Sequence, residues 1–181
     1  MAKLVVSGRV HASGMAILRA EPGLEILSVE DPGAALPPDL LRGADAVLIR
    51  YGVLTESDLD LMPSLRIVSR HGVGCDNLPV AALTARNVPI AIVGGVNAVS
   101  VAEQVMAMML ALVRQIAPYD AAVRDGRWAI RDSLAVGELA GRKLLLMGFG
   151  RIGREVARRA LAFDMAVLAH DPFADPAAIA G

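Results

Sequence analysis

Three glycines, Gly148, Gly150 and Gly153, stand at G-x-G-x-x-G spacing within MGFGRIGREVARRALAFDMAVLAHD, residues 147–171. That spacing suits a bound pyrophosphate. The first glycine permits a tight turn, the second lets the backbone approach phosphate oxygens, and the third lets a helix pack closely on a strand. The phosphates would rest on N–H groups at the helix N-terminus, where unpaired donors and the helix dipole favour an anion. Arg151 and Ile152 would occupy the turn between the last two glycines.

Three glycines alone are a weak signal, and a ligand-free turn would satisfy them. The context strengthens it. LLLMG precedes the loop, an amphipathic helix follows, and AVLAHD ends in Asp171, 18 residues beyond Gly153. A carboxylate there accepts hydrogen bonds from the adenosine ribose hydroxyls and repels the extra phosphate of NADP, so Asp171 favours NAD. FAD and S-adenosylmethionine proteins use related loops, so the loop by itself leaves those ligands open.

Other reactive residue types read more plainly. Cys75, the single cysteine, has no partnered base in the sequence and reads as a small, inert core residue. One cysteine excludes an intrachain disulfide and argues against a structural zinc site; no metal is expected. Asp76-Asn77 reads as an Asx turn holding its loop. His11 and His170 read as turn and strand-end residues. The methionines at 106–109 read as helix core.

Positioning such a loop requires a substantial α/β core. The 181 residues are 55% hydrophobic with a net charge of −1. That fills a core and offers no electrostatic footprint for nucleic acid or an anionic membrane. The N-terminus lacks secretory-signal features, and the most apolar run, VMAMMLALV (105–113), is about half a bilayer span. A cytoplasmic location is expected. Strands are expected at 3–8, 24–29, 44–50, 65–72 and 88–94, separated by helix-length spacers, including helices over HASGMAILRA and over TESDLDLMPSL from Thr55 or Ser57. That alternation points to a parallel, doubly wound sheet. A long helix is expected over 97–117, opened by a Ser100/Glu103 capping box, stopped before Pro118, and apolar enough to be buried on most faces. After an irregular connector over 125–142 come a strand at 143–148, a helix, and a strand at 166–171. The tail from Asp171 reads as a loop or an aborted helix.

Four stretches, SRHGVGCDNLPV (69–80), GGVNAVSVAEQVMAMMLAL (94–112), GELAGRKLLLMGFGRIGREVA (137–157) and VLAHDPF (167–173), agree in order and spacing with one family. With them the chain resembles the D-isomer-specific 2-hydroxyacid dehydrogenases, which include phosphoglycerate, D-lactate and hydroxypyruvate dehydrogenases. The resemblance implies a flavodoxin-like, parallel-sheet substrate domain over 1–96. An incomplete Rossmann-type NAD domain would then run over 97–181, entered through the long interdomain helix 97–117. It implies that the backbone N–H groups of Val73 and Gly74 receive a substrate carboxylate, which suits a nest opened by Gly72 and Gly74. Arg50 and Tyr51 would line the same cleft, with a surface ion pair as the alternative role for Arg50. Asn97 and Ser100 would lie toward the nicotinamide end or the hinge. The expected partners are a small 2-oxo or 2-hydroxy acid and a second copy of the chain.

The departure from the family pattern concerns catalysis. Family members reduce the 2-oxo acid with an Arg, a Glu and a His, because the alkoxide left by hydride transfer needs a proton donor. None of those motifs occurs before Gly181, and His71 does not match the family's catalytic position. These residues by themselves are expected to lack turnover, which leaves an inactive binding or dimerisation module as the alternative function. The first strand of a Rossmann sheet is normally central, so one edge and one face of this one are expected to be uncovered.

Overall fold

The structure is a computed structural model that describes residues 1–33 and 35–175; the expected tail beyond Asp175 lies outside the described residues. The chain divides into two compact units, Met1–Gly94 and Gly95–Gly181, two residues before the expected division.

The first unit holds five strands: β1 (Ala2–Ser7), β2 (Leu24–Val29), β3 (Ala46–Ile49), β4 (Ile67–Arg70) and β5 (Ile90–Ile92). They pair in the order β2-β1-β3-β4-β5, every neighbour parallel. This is the flavodoxin-like order. Period-two alternation sends successive β1 residues to opposite faces. Val5 joins Val47, Ile49 and Val68 in the larger core, closed by Leu41, Leu54, Leu59 and Leu83. Leu4 and Val6 join Met15 of α1 (Ala12–Ala20) on the other face. Each fully buried aliphatic side chain contributes about 1.5–3 kcal/mol, which is why these runs carry few polar residues. The larger core is covered by α2 (Pro38–Leu41), a 3-10 helix over Ser57–Leu61 and α3 (Val80–Ala85). Thr55 opens the 3-10 turn reciprocally. Its N–H donates to Asp58 Oδ2 (2.8 Å), and the Asp58 N–H donates to Thr55 Oγ1 (3.3 Å).

The second unit departs from the expected single helix over 97–117. Two helices occur, α4 (Ala98–Val113) and α5 (Ile116–Arg124), bent by 57°. Gln115 takes a left-handed conformation (φ 52°), and its side-chain Nε2 donates to the Leu112 carbonyl (2.8 Å). Pro118 sits in the first turn of α5, where its missing N–H costs nothing. A proline held there requires the earlier helix to end before it, so the break falls at 114–115. The Ser100/Glu103 capping box does not form: Asn97 precedes the helix without a side-chain cap, and both residues lie inside α4. Burial of α4 is also narrower than expected. Ala98, Ala102 and Met106 are buried, whereas Met108 and Leu112 are 55% and 71% exposed.

Beyond a 3-10 turn over Trp128–Ser133 come β6 (Lys143–Met147), α6 (Arg151–Ala162) and β7 (Ala166–His170). β6 and β7 pair in parallel. Their inward residues Leu144 and Val167 pack with Met106, Leu139, Ala160 and Met165. Arg159 ties α6 to α4, bonding Glu155 on its own helix and lying 3.5 Å from Glu103. The Glu155 hydrogen bond raises the Arg159 pKa, and Arg159, followed by Arg158, lowers that of Glu155. The other face of the two strands, with Leu145, Met147 and Leu168, is exposed, and among the described residues β6 pairs with β7 alone. No single described helix is long and apolar enough to cross a membrane.

Candidate functional site

In the first unit the strand order reverses between β1 and β3, and a crevice opens at the C-terminal ends of strands flanking such a point. Arg50 and Tyr51 follow β3 directly. Tyr51 is held by its backbone: buried Ser7, closing β1, donates its hydroxyl to the Tyr51 carbonyl (2.6 Å). The Arg50 guanidinium lies 4.8 Å from the Tyr51 ring centroid, and its Nη1 donates to the Arg9 carbonyl (2.6 Å). Arg50 has no carboxylate partner among the described residues.

The turn after β4 carries Val73 and Gly74, both exposed, and neither N–H meets an acceptor among the described residues. Two residues join this turn to the end of β3: Asn77, expected only as part of an Asx turn, and Arg70, which sequence reasoning did not single out. Asn77 donates Nδ2–H to the Gly52 carbonyl (2.8 Å), while the Leu54 N–H donates to the Asn77 carbonyl (3.0 Å). Asn77 therefore holds the loop through a neighbouring turn, not through the Asx turn expected for Asp76-Asn77. Arg70 reaches further, with Nη1 on the Arg50 carbonyl (3.1 Å) and Nε on the Gly74 carbonyl (2.9 Å). Nothing in its local pattern marks it, because the partners that tie it to the neighbouring strand come from about 20 residues away. Cys75 is half-buried against the larger core, less buried than expected.

In the second unit the three glycines occupy three different environments. Gly148 ends β6 at φ +105°, a conformation L side chains rarely adopt. Its N–H donates to the His170 carbonyl (2.8 Å) and so keeps β6 paired to β7 up to the loop. Gly150 precedes α6, and a Cβ built there would meet nothing within 4 Å. At Gly153 a Cβ would strike the Gly148 carbonyl oxygen. One glycine makes the turn, one leaves a cradle open, and one lets helix and strand touch.

The free N–H groups of Arg151, Ile152 and Gly153 open α6, since the first intrahelical bond runs from the Arg154 N–H to the Gly150 carbonyl (3.1 Å). Arg151 and Ile152 are exposed at this end. Arg154 braces the loop from behind: its Nε donates to the Phe149 carbonyl (3.2 Å), and its guanidinium lies 5.8 Å from the buried Phe149 ring.

Asp171, at the end of β7, is bonded to the loop itself. Oδ2 accepts the Phe149 N–H (2.7 Å), and Oδ1 accepts those of Phe173 (2.8 Å) and Ala174 (3.2 Å). The Phe149 hydrogen bond above all, then that of Phe173, holds its pKa below the ordinary Asp value against the opposing effect of burial. The carboxylate is therefore charged at neutral pH, and Oδ2, which accepts one N–H, keeps a lone pair for a further donor. An open cradle at Gly150, free N–H groups beyond it and an anchored acid beside it fit the pyrophosphate and ribose of a dinucleotide. Ser100, expected toward the nicotinamide end or the hinge, is exposed in the first turn of α4.

A flavodoxin-like unit and a strand, glycine loop, helix and strand ending in an acid define an α/β protein of the dinucleotide-binding kind. Residues 106–180 match the family model described as D-isomer specific 2-hydroxyacid dehydrogenase, NAD binding domain. The chain belongs to the D-isomer-specific 2-hydroxyacid dehydrogenase family, and NAD is the cofactor of that domain. It is 42% identical over 155 residues to a D-3-phosphoglycerate dehydrogenase of Mycobacterium leprae, covering 85% of this chain and 29% of that protein. The TT0316 protein of Thermus thermophilus superposes with a TM-score of 0.85 at 30% identity, covering 96% of this chain and 57% of the other. An NAD-dependent formate dehydrogenase of Staphylococcus aureus, solved in complex with NAD, superposes with a TM-score of 0.81 at 26% identity, over 94% and 56% of the two chains. This chain thus spans less than a third of the mycobacterial relative and a little over half of each solved structure.

Proposed function

We propose that this chain holds the adenosine and pyrophosphate end of NAD in its second unit and a 2-oxo or 2-hydroxy acid carboxylate in its first. Residues 1–96 form the substrate-binding part on this reading, and 97–181 begin the NAD-binding part. When bound, NAD supplies hydride exchange with C2 of such an acid. The observation that carries the reading is the glycine loop, open at Gly150 and bonded through Phe149 to Asp171. The pyrophosphate would sit on the N–H groups of Arg151, Ile152 and Gly153, the ribose hydroxyls on Asp171, and the acid on the N–H groups of Val73 and Gly74 beside Arg50 and Tyr51. Ser100 keeps a place near the cofactor through the family resemblance alone.

Titration with NADH, followed by its fluorescence, is expected to saturate, with FAD and S-adenosylmethionine giving no saturable binding. Saturation by either of those in place of NADH would overturn the cofactor assignment. Residues 1–181 by themselves carry none of the family's Arg, Glu and His motifs. They are therefore expected to show no NADH oxidation with hydroxypyruvate, glyoxylate or pyruvate. Oxidation at ordinary enzyme rates, about 1–1,000 per second, would refute that expectation.

A second reading is favoured by one observation. Val99, Met108 and Leu112 of α4 are 44%, 55% and 71% exposed, an apolar display of the kind that marks association surfaces. Two copies pairing through α4 would cover it. Light scattering is expected to give twice the chain mass, reduced toward the monomer in a Met108→Glu, Leu112→Glu variant. A wild-type monomer at high concentration would count against pairing.

A further inference from the structure

We infer that Arg70 is the positioning residue of the anion-binding turn: it sets the Val73 and Gly74 N–H groups by bonding backbone carbonyls on both sides of them, without touching the substrate. The assignment rests on the substrate reading above and names the residue that shapes that site.

One guanidinium serves four carbonyls. Nη1 donates toward those of Ile49 (3.3 Å), Arg50 (3.1 Å) and His71 (3.1 Å), and Nε donates to that of Gly74 (2.9 Å). Two of these acceptors belong to the end of β3 and two to the turn after β4, so the planar group spans the segments carrying all four proposed substrate residues. The His71 and Gly74 carbonyls belong to the peptides on either side of the two that carry the Val73 and Gly74 N–H groups. Fixing the carbonyls of His71 and Gly74 fixes the peptide planes that bracket the Val73 and Gly74 N–H groups. These N–H groups are exposed and without an acceptor among the described residues, the condition of a preformed nest.

The neighbouring glycine fits the same account. A Cβ at Gly72 would lie 3.0 Å from Arg70 Nη1 and 3.1 Å from its guanidinium carbon, so the turn lacks a side chain where the guanidinium lies. Arg70 itself is only partly exposed and has no carboxylate partner among the described residues. Its five donors in a rigid fork can reach separated carbonyls, which the compact ammonium of lysine cannot do at once.

The test separates positioning from charge. Val73 and Gly74 amide shifts are followed in the full 181-residue chain during titration with oxamate, a stable 2-oxo acid analogue. Backbone order of residues 71–75 is measured in the absence of ligand. Arg70→Lys keeps the charge and is expected to weaken oxamate at least tenfold and to loosen residues 71–75, with NADH shifts at Phe149 and Gly150 unchanged. Gly72→Ala, which crowds the guanidinium from the other side, is expected to reproduce both effects. Native loop order or an affinity within twofold of wild type in Arg70→Lys would overturn the assignment. A wild-type titration that moves neither Val73 nor Gly74, with the turn ordered, would instead overturn the substrate reading beneath it.

Discussion

Gly153→Ala is expected to damage both the fold of the second unit and its binding of NADH, whereas Gly150→Ala is expected to damage binding alone. The two substitutions add the same methyl group three residues apart, and the difference lies in what each methyl meets. At Gly153 it meets the carbonyl oxygen of Gly148, a backbone atom that cannot rotate away. Helix α6 must then move off β6. Overpacking of this kind costs about 1–3 kcal/mol, visible as a lowered urea midpoint. The same shift displaces the N–H groups that open α6, so NADH affinity falls at least tenfold.

At Gly150 the methyl meets nothing within 4 Å, and its backbone, with φ −74°, suits any L residue. Stability should therefore change by less than about 0.5 kcal/mol. The methyl occupies the space in which the pyrophosphate would approach the backbone, so affinity again falls. A Gly150→Ala protein that binds NADH as the wild type does would show that the open cradle is not where the phosphates lie.

Asp171→Asn is expected to weaken NADH roughly tenfold to a hundredfold, the scale of a lost charge-assisted hydrogen bond, and to narrow the preference for NADH over NADPH. The amide keeps the shape of the carboxylate but replaces one acceptor with a donor. One side then faces an N–H it cannot accept, either that of Phe149 or those of Phe173 and Ala174. The variant is therefore less stable at neutral pH as well. The native pKa of Asp171 is depressed, so the stability it contributes is present above the unfolded value of about 3.9. That contribution is lost as pH falls through the lower native value. Urea unfolding of both proteins at neutral and acid pH should show the wild-type advantage shrinking on acidification. A constant gap would mean that the charge is not what the three N–H groups hold. Unchanged NADH affinity would remove Asp171 from the ribose site.

The glycine loop was readable from the sequence because its determinants are local. A turn needing φ +105° at Gly148 and a close contact at Gly153 are imposed within six residues, and the flanking strands announce themselves by their apolar runs. The strands of the first unit were readable for the same reason, within a residue or two at each end for most. The single helix expected over 97–117 is two helices: the first does end before Pro118, but the proline then occupies the first turn of a second. The Ser100/Glu103 pattern reads as a cap, but inside a helix it is merely two polar residues on its surface.

The contacts of Arg70 and Asn77 with the end of β3 lay beyond sequence reasoning for a physical reason. Their acceptors are carbonyl oxygens of Ile49, Arg50 and Gly52, some 20–25 positions away, and every residue type presents the same carbonyl. Composition, periodicity and short motifs therefore determined the α/β class, the element order and the presence of a dinucleotide loop, and the resemblance of four stretches pointed to the family. Only the tertiary structure decided which side chains hold the two loops in shape, that Asp171 is bonded to the loop beside it, and that α4 breaks at Gln115. Those outcomes depend on backbone atoms from distant segments meeting at a few ångströms, and backbone atoms carry no mark of identity in a sequence.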